Sequence, residues 1–277
     1  MKAVFIIILL SSSFLSGCFY VPQQEKLNTN KGIRLVDRCP SAVPTLQQPK
    51  TNQPYTFSVA SWNIYKFKLV QSLPEVKKLT QQYDFVLLQE DISHKNVTDM
   101  LNDAGLNWQQ SVAFEFEDQD AGVMTASKLP SLYTCAYRSA EPAVRIPKSV
   151  LVSVFPLPGS NYPLLMINLH GLNFELGIAA YQKQLKSAFT MAKKYPGPVV
   201  FSGDFNSWGD KRAAYLQQSA QLAGLKEAIP QPDVRIVVLN QPIDHLYFKG
   251  LTLKESRSIR SSASDHNPIF ATFEVTH

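Results

Sequence analysis

With 277 residues, 45% of them hydrophobic and 18% charged, the chain can bury the core of one large globular domain, with or without a leader. Its formal charge of +5 permits an anionic partner, but is weak beside the dense basic stripe of a dedicated nucleic-acid binder. Its three cysteines show no Cys/His spacing of a zinc site.

In chain order, Lys2 precedes an apolar run over 3–10, continued by Ser11 to Phe14 and then Leu15-Ser16-Gly17-Cys18. The run is too short to span a bilayer, so residues 1–17 read as an export signal. Leu15 to Cys18 resembles the bacterial lipobox, which implies cleavage before Cys18 and acylation of its thiol. An ordinary secretory signal with a chance cysteine is the alternative. Phe19 in the second mature position implies a lipid anchor in the outer membrane of the cell envelope, facing the periplasm. Residues 18–54, rich in Gln, Asn, Lys, Thr and Pro, read as a polar tether. Cys39 and Cys135 are expected to form a disulfide in an oxidising compartment, the alternative being two buried free thiols.

From residue 55 to 277 the pattern becomes one of alternating blocks. Strands are expected at 56–61 and 85–89, with a helix at 73–82 between them and another at 96–104. Short strand-type runs bounded by Pro, Gly, Ser or Asn then follow at 122–127, 132–137, 143–146, 149–155 and 164–169. A helix at 179–194, a buried strand at 199–202, a helix at 211–223 and strands at 243–248 and 269–275 close the chain. Two β/α-rich halves around a strand-rich middle predict an α/β fold of two packed mixed β-sheets flanked by helices.

Acidic, amide and imidazole residues recur where these strands end: Trp62-Asn63-Ile64, Leu88-Gln89-Glu90, Asn168-Leu169-His170, Gly203-Asp204-Phe205-Asn206, Pro242-Ile243-Asp244-His245 and Ser264-Asp265-His266-Asn267-Pro268. Strand ends at one sheet edge are where side chains converge on a ligand. Carboxylates with neutral oxygen donors suit a hard cation, and a nearby histidine supplies proton transfer or charge stabilisation. In this order the six blocks resemble the endonuclease/exonuclease/phosphatase superfamily. Asn63 to Lys66, Gly122 to Thr125, Glu141-Pro142, Lys148-Ser149, Asn173-Phe174 and Ala263 to Pro268 are closest to its YafD-like branch. The resemblance implies a four-layer α/β sandwich of DNase I type and divalent-metal-dependent phosphodiester hydrolysis with Mg²⁺ or Mn²⁺.

In that reading Glu90 is the first metal ligand, Asn63 a neutral oxygen donor and Asp265 a further ligand. Asp204 and Asn206 orient the attacking water and bind phosphate, and His170 contacts a phosphoryl oxygen. Asp244 orients His266, which acts as general base or charge stabiliser; whether Asp204 or His266 takes the proton stays open. Arg145 and Lys148, in a strand-like block, are substrate contacts. His245 is structural. Nucleic acid is the leading phosphodiester substrate, with a lipid phosphodiesterase of sphingomyelinase type or a non-catalytic binding lipoprotein as alternatives. No protein partner is evident, and a monomer is expected.

Overall fold

The computed structural model describes residues 19–49 and 54–275. The expected export signal and the expected acylation site Cys18 lie outside them. The first strands are β1 (Phe19–Tyr20), β2 (Glu25–Thr29) and β3 (Gly32–Val36). Next come β4 (Thr56–Asn63), α1 (Ser72–Gln82), β5 (Phe85–Ile92) and α2 (Lys95–Asp103). The middle consists of β6 (Asn107–Phe116), β7 (Gln119–Ser127), β8 (Tyr133–Ala140), β9 (Pro147–Phe155) and β10 (Leu164–His170). After it come α3 (Ala179–Lys194), β11 (Val199–Asp204), α4 (Asp210–Leu222) and β12 (Lys226–Glu227). The small hairpin of β13 (Val237–Val238) and β14 (Gln241–Pro242) precedes β15 (Asp244–Lys249), β16 (Leu251–Ser258) and β17 (Ile269–Val275).

One sheet runs β16-β17-β4-β5-β7-β6-β2-β3, with β1 also paired to β6; the other runs β12-β15-β11-β10-β9-β8. Each contains one parallel pair, β4 with β5 and β10 with β11, joined through α1 and α3 respectively. All other pairings between these strands are antiparallel. Because a parallel pair needs a crossover helix, each half is a βαβ unit, and the helices come to lie on the outer faces.

The layers follow from the side chains. Phe57, Phe85, Leu87, Phe155, Met166, Val200, Leu246 and Phe273 fill the space between the sheets. The Phe57 ring meets Phe85 edge-on at 5.7 Å and Phe273 at 5.6 Å. Val76, Leu79, Val97 and Leu101 of α1 and α2 cover Trp62, Val86 and Leu88 on one outer face. Tyr181, Leu185, Ala188 and Ala192, at helical spacing on α3, cover Val152, Ile167 and Phe201 on the other. This is the expected four-layer α/β sandwich. Every residue of β10 and β11 is buried, since both their faces are covered.

Several segments differ from the sequence reading. The expected tether holds a hairpin instead: β2 and β3 pair with each other, and β2 extends the sheet along β6. Leu27 is fully buried, and Glu25 takes an ion pair at 2.7 Å from Arg138. One buried leucine among polar residues gave too little periodicity to read. The strand expected at 143–146 is a turn, and β9 begins at Pro147. β6 and β16 were not expected; β6 buries Gln110 and Ser111, which breaks its apolar pattern. Cys39 and Cys135 are disulfide-bonded, tying the segment after β3 to β8.

Candidate active site

The topology brings five of the six blocks together before any side chain is considered. Asn63 ends β4, Glu90 lies near the end of β5, and His170 and Asp204 end β10 and β11. His170 and Asp204 are register partners, and Asp204 is paired across to Asp244 at the start of antiparallel β15. The C-terminal ends of both parallel pairs therefore face one place. Gly203 permits this: a Cβ there would lie 1.9 Å from the Leu169 carbonyl oxygen.

Local backbone strain aims two of the groups. The β5–β7 register shifts between Leu88 and Asp91, and Glu90 sits at φ +52° in that bulge. Tyr65, Lys66 and Phe67 are also left-handed, with φ between +51° and +57°. For non-glycine residues each such conformation costs about 1–2 kcal/mol, and here the turn brings Lys66 onto the Glu90 carboxylate.

The last block is pinned to the first. Ser264 Oγ donates to the Asn63 carbonyl at 2.6 Å, the His266 N–H donates to Ser264 Oγ, and Trp62 Nε1 donates to the His266 carbonyl at 2.8 Å. So held, His266 Nδ1 lies 2.8 Å from Asp244 Oδ2 and its Nε2 lies 4.0 Å from Asp204 Oδ2. Burial opposes charge on this ring, yet Asp244, Asp204 and Asp265 outweigh it and push the pKa up to about 10. His266 is an imidazolium at neutral pH.

Asp204 is the opposite case. Its burial raises the carboxyl pKa, His266 draws it down and Asp244 pushes it up again, with a net rise. Asn63 donates its amide N–H to Asp204 Oδ2 at 3.0 Å, and the Asn206 backbone N–H donates to Oδ1 at 2.9 Å. Asn63 Oδ1 meanwhile accepts the Tyr65 N–H, so Asn63 positions Asp204. Burial together with the cations Lys148 and His266 depresses the His170 pKa well below the ordinary value, leaving the ring neutral. Lys148 Nζ lies 3.0 Å from His170 Nε2. An ammonium can only donate, so Nε2 accepts. Burial likewise disfavours the Glu90 carboxylate, but Lys148 and Lys66 hold its pKa below the usual range.

Lys66, Glu90, Lys148, His170, Asp204, Asn206, Asp265 and His266 line one cavity of about 390 Å³. Asp244 stands behind His266. Arg145 is exposed in the turn before β9 and does not line the cavity. His245 is buried elsewhere, between Glu227 at 2.7 Å and Ser207 at 2.8 Å.

Two supports of the cavity were given no role by the sequence reading. Arg212, 1% exposed, donates to the carbonyls of Leu172, Asn206 and Asn173, fixing two loops at the cavity. Glu141, equally buried, accepts the N–H groups of Asn173 and Phe174. Nothing in a lone charged residue on an amphipathic helix marked Arg212. Arg235, also buried, donates to the Asp244 carbonyl at 3.1 Å while paired with Glu227 and Asp233.

Donor chemistry fits a hard divalent cation. Oxygens of Glu90, Asp204, Asp265 and Asn206 line the cavity, and Glu90 already faces two ammonium groups, so its position accommodates positive charge. Asp204, Asp244 and His266 also approach one another closely enough to hold an ion. The direct Asp244–His266 hydrogen bond already occupies one ring nitrogen of that trio.

A two-sheet sandwich with acidic and imidazole groups at the ends of its parallel strands defines a phosphoester hydrolase of DNase I type. Residues 60–266 match the endonuclease/exonuclease/phosphatase family, and the chain belongs to it. It is 32% identical over 260 residues to a UPF0294 protein of Vibrio parahaemolyticus, covering 93% of this chain and 91% of that one. Danio rerio TDP2, solved with a single-strand DNA product, has a similar fold at TM-score 0.58 and 17% identity, over 79% of this chain and 98% of that one. The mannosyl-6-phosphatase Bt3783 of Bacteroides thetaiotaomicron is similar at TM-score 0.59 and 16% identity, over 79% and 100%.

Proposed function

We propose that this phosphoesterase is a divalent-metal-dependent phosphodiester hydrolase, and the observation that carries the proposal is the Asp244–His266 pair facing Asp204 in a cavity that also holds Glu90. Glu90 and Asp265 are the carboxylates that would hold Mg²⁺ or Mn²⁺, which would polarise the phosphoryl oxygen and stabilise the leaving oxygen. Asp204, with its raised pKa and two donors fixing its orientation, takes the proton from the attacking water. His266 is charged at neutral pH and stabilises the equatorial oxygens as negative charge builds on them. Lys148, aligned by His170, adds a second cation, and the Asn206 amide, donating to the Gly171 carbonyl at 3.0 Å, completes the phosphate-facing wall.

Nucleic acid has the family resemblance and the mild positive charge in its favour. Against it, the lysines lining the cavity, Lys66 and Lys148, are both turned on Glu90, which gives a polyanion little to follow along its backbone. We also infer export and acylation at Cys18, which the Cys39–Cys135 disulfide supports, since such bonds persist in oxidising compartments. Loss of palmitate labelling in Cys18→Ser tests that inference.

The catalytic proposal is tested with plasmid, single-stranded DNA, RNA, sphingomyelin, inositol phosphates and bis-p-nitrophenyl phosphate, each with Mg²⁺, Mn²⁺ or EDTA. Turnover abolished by EDTA and by Glu90→Ala supports it. Full activity of folded Glu90→Ala or His266→Ala refutes the assigned site.

A further inference from the structure

The cavity that holds the phosphate-handling groups is also lined by Phe114, Val144, Ile146 and Phe174, and the last three are exposed to solvent. Their outward pose is built into the fold. Glu141 uses both carboxylate oxygens on the N–H groups of Asn173 and Phe174, at 2.7 and 2.8 Å, and Arg212 holds the Asn173 carbonyl. Leu176, two residues beyond Phe174, is fully exposed. Val144 and Ile146 flank exposed Arg145 in one turn, an arrangement of apolar and cationic side chains that suits a phospholipid surface.

The path of the chain supplies an independent observation. β1 pairs with the end of β6, Phe19 opposite Phe116 and Tyr20 opposite Glu115. The Phe19 ring packs against Phe114 at 5.3 Å, and Phe19, Tyr20 and Phe116 are all exposed. The chain therefore enters the fold at the cavity's apolar wall, one residue after Cys18. From Leu176 through Phe174 and Phe114 to Phe19, an apolar rim joins the cavity to that point of entry.

We propose that this rim seats on a lipid bilayer, with the mouth of the cavity toward the lipid, and that the substrate is a phosphodiester carried by an amphiphile in that bilayer. The substrate half rests on the phosphodiesterase reading above; the seating half does not. An amphiphile presents its phosphate at the depth of the headgroups with its apolar part beside it. The cavity is lined by charged groups and by exposed apolar side chains together.

The test uses the full chain, acylated in vivo, in vesicles of phosphatidylethanolamine, phosphatidylglycerol and sphingomyelin doped with dibrominated phosphatidylcholine. Tryptophan is introduced as Leu176→Trp or Phe116→Trp, and as Leu222→Trp for control. Leu222 is exposed at the far end of α4, which runs back from the site. At least half of the added fluorescence is expected to be quenched at positions 176 and 116, and less than a tenth at 222. Quenching at none of the three, or equally at all, overturns the seating. In the same vesicles, turnover of embedded phosphodiesters is expected to exceed that of single-stranded DNA at least tenfold, and to fall at least tenfold in Leu176→Asp/Phe116→Asp while bis-p-nitrophenyl phosphate is cleaved within twofold of the parent rate. Faster cleavage of DNA overturns the substrate half. Turnover of no substrate at all, alongside position-specific quenching, counts against the phosphodiesterase reading and the substrate half but upholds the seating.

Discussion

Replacing Asp244 by Asn leaves the shape of the site almost unchanged and removes the charge that holds His266 protonated. His266 Nδ1 lies 2.8 Å from Asp244 Oδ2, and its pKa of about 10 compares with an ordinary 6.5. At about 1.4 kcal/mol per pH unit, that is roughly 5 kcal/mol of preference for the charged ring. Without Asp244 the burial that opposes the charge is left with weaker opposition from Asp204 and Asp265, and the pKa falls. The protonated fraction at pH 7.5 falls with it. Loss of a charged donor to the phosphoryl oxygens costs about 10²–10³ in kcat. The assay is a pH–rate profile for bis-p-nitrophenyl phosphate with saturating Mg²⁺. The parent is expected to hold its rate on the alkaline side until pH approaches 10, and Asp244→Asn to lose it as pH rises past neutrality. The stability term has the same sign: a raised pKa contributes fully below pH 6.5 and fades as pH rises toward 10, and the variant lacks it. An alkaline limb that stays in place, even with a lower amplitude, would refute the assignment of His266 as the charged group.

Three further outcomes follow from the packing and the cross-link. Cys39→Ser/Cys135→Ser opens a bridge between residues 96 apart; chain entropy predicts a loss of about 4–5 kcal/mol in urea unfolding, matched by the parent under reductant. Arg212→Met leaves the carbonyls of Leu172, Asn173 and Asn206 without their buried donor. A loss on the order of 3 kcal/mol is expected, with kcat/KM falling further than the unfolded fraction explains. Phe57→Ala empties a site between the sheets and should cost about 3–5 kcal/mol while leaving kcat of the folded protein unchanged, as read by denaturant melts and by activity below the transition.

Much of the architecture could be read from local pattern. The bounds of α3 at 179–194 and of the last strand at 269–275 coincide with the expected ones, because their apolar spacing matches the helix and strand periods and Pro or Gly punctuates their ends. The six blocks could be read as one constellation because each lies at a strand boundary, and ligands bind where parallel strands end. The hairpin of β2 and β3 could not, because its stability comes from pairing with β6 and from Arg138, more than a hundred residues away.

The sequence by itself determined the family, the residue types of the site and its common sheet edge, since these follow from spacing and chain order. Only the tertiary structure decided the protonation of each group. Asp204 and His266 are an aspartate and a histidine in any extended chain. Burial among one another, with Asp244 behind the ring and Asn63 on the carboxylate, raises the carboxyl pKa of Asp204 and holds the His266 ring charged. Protonation depends on desolvation and on neighbouring charge, and both are properties of the folded arrangement.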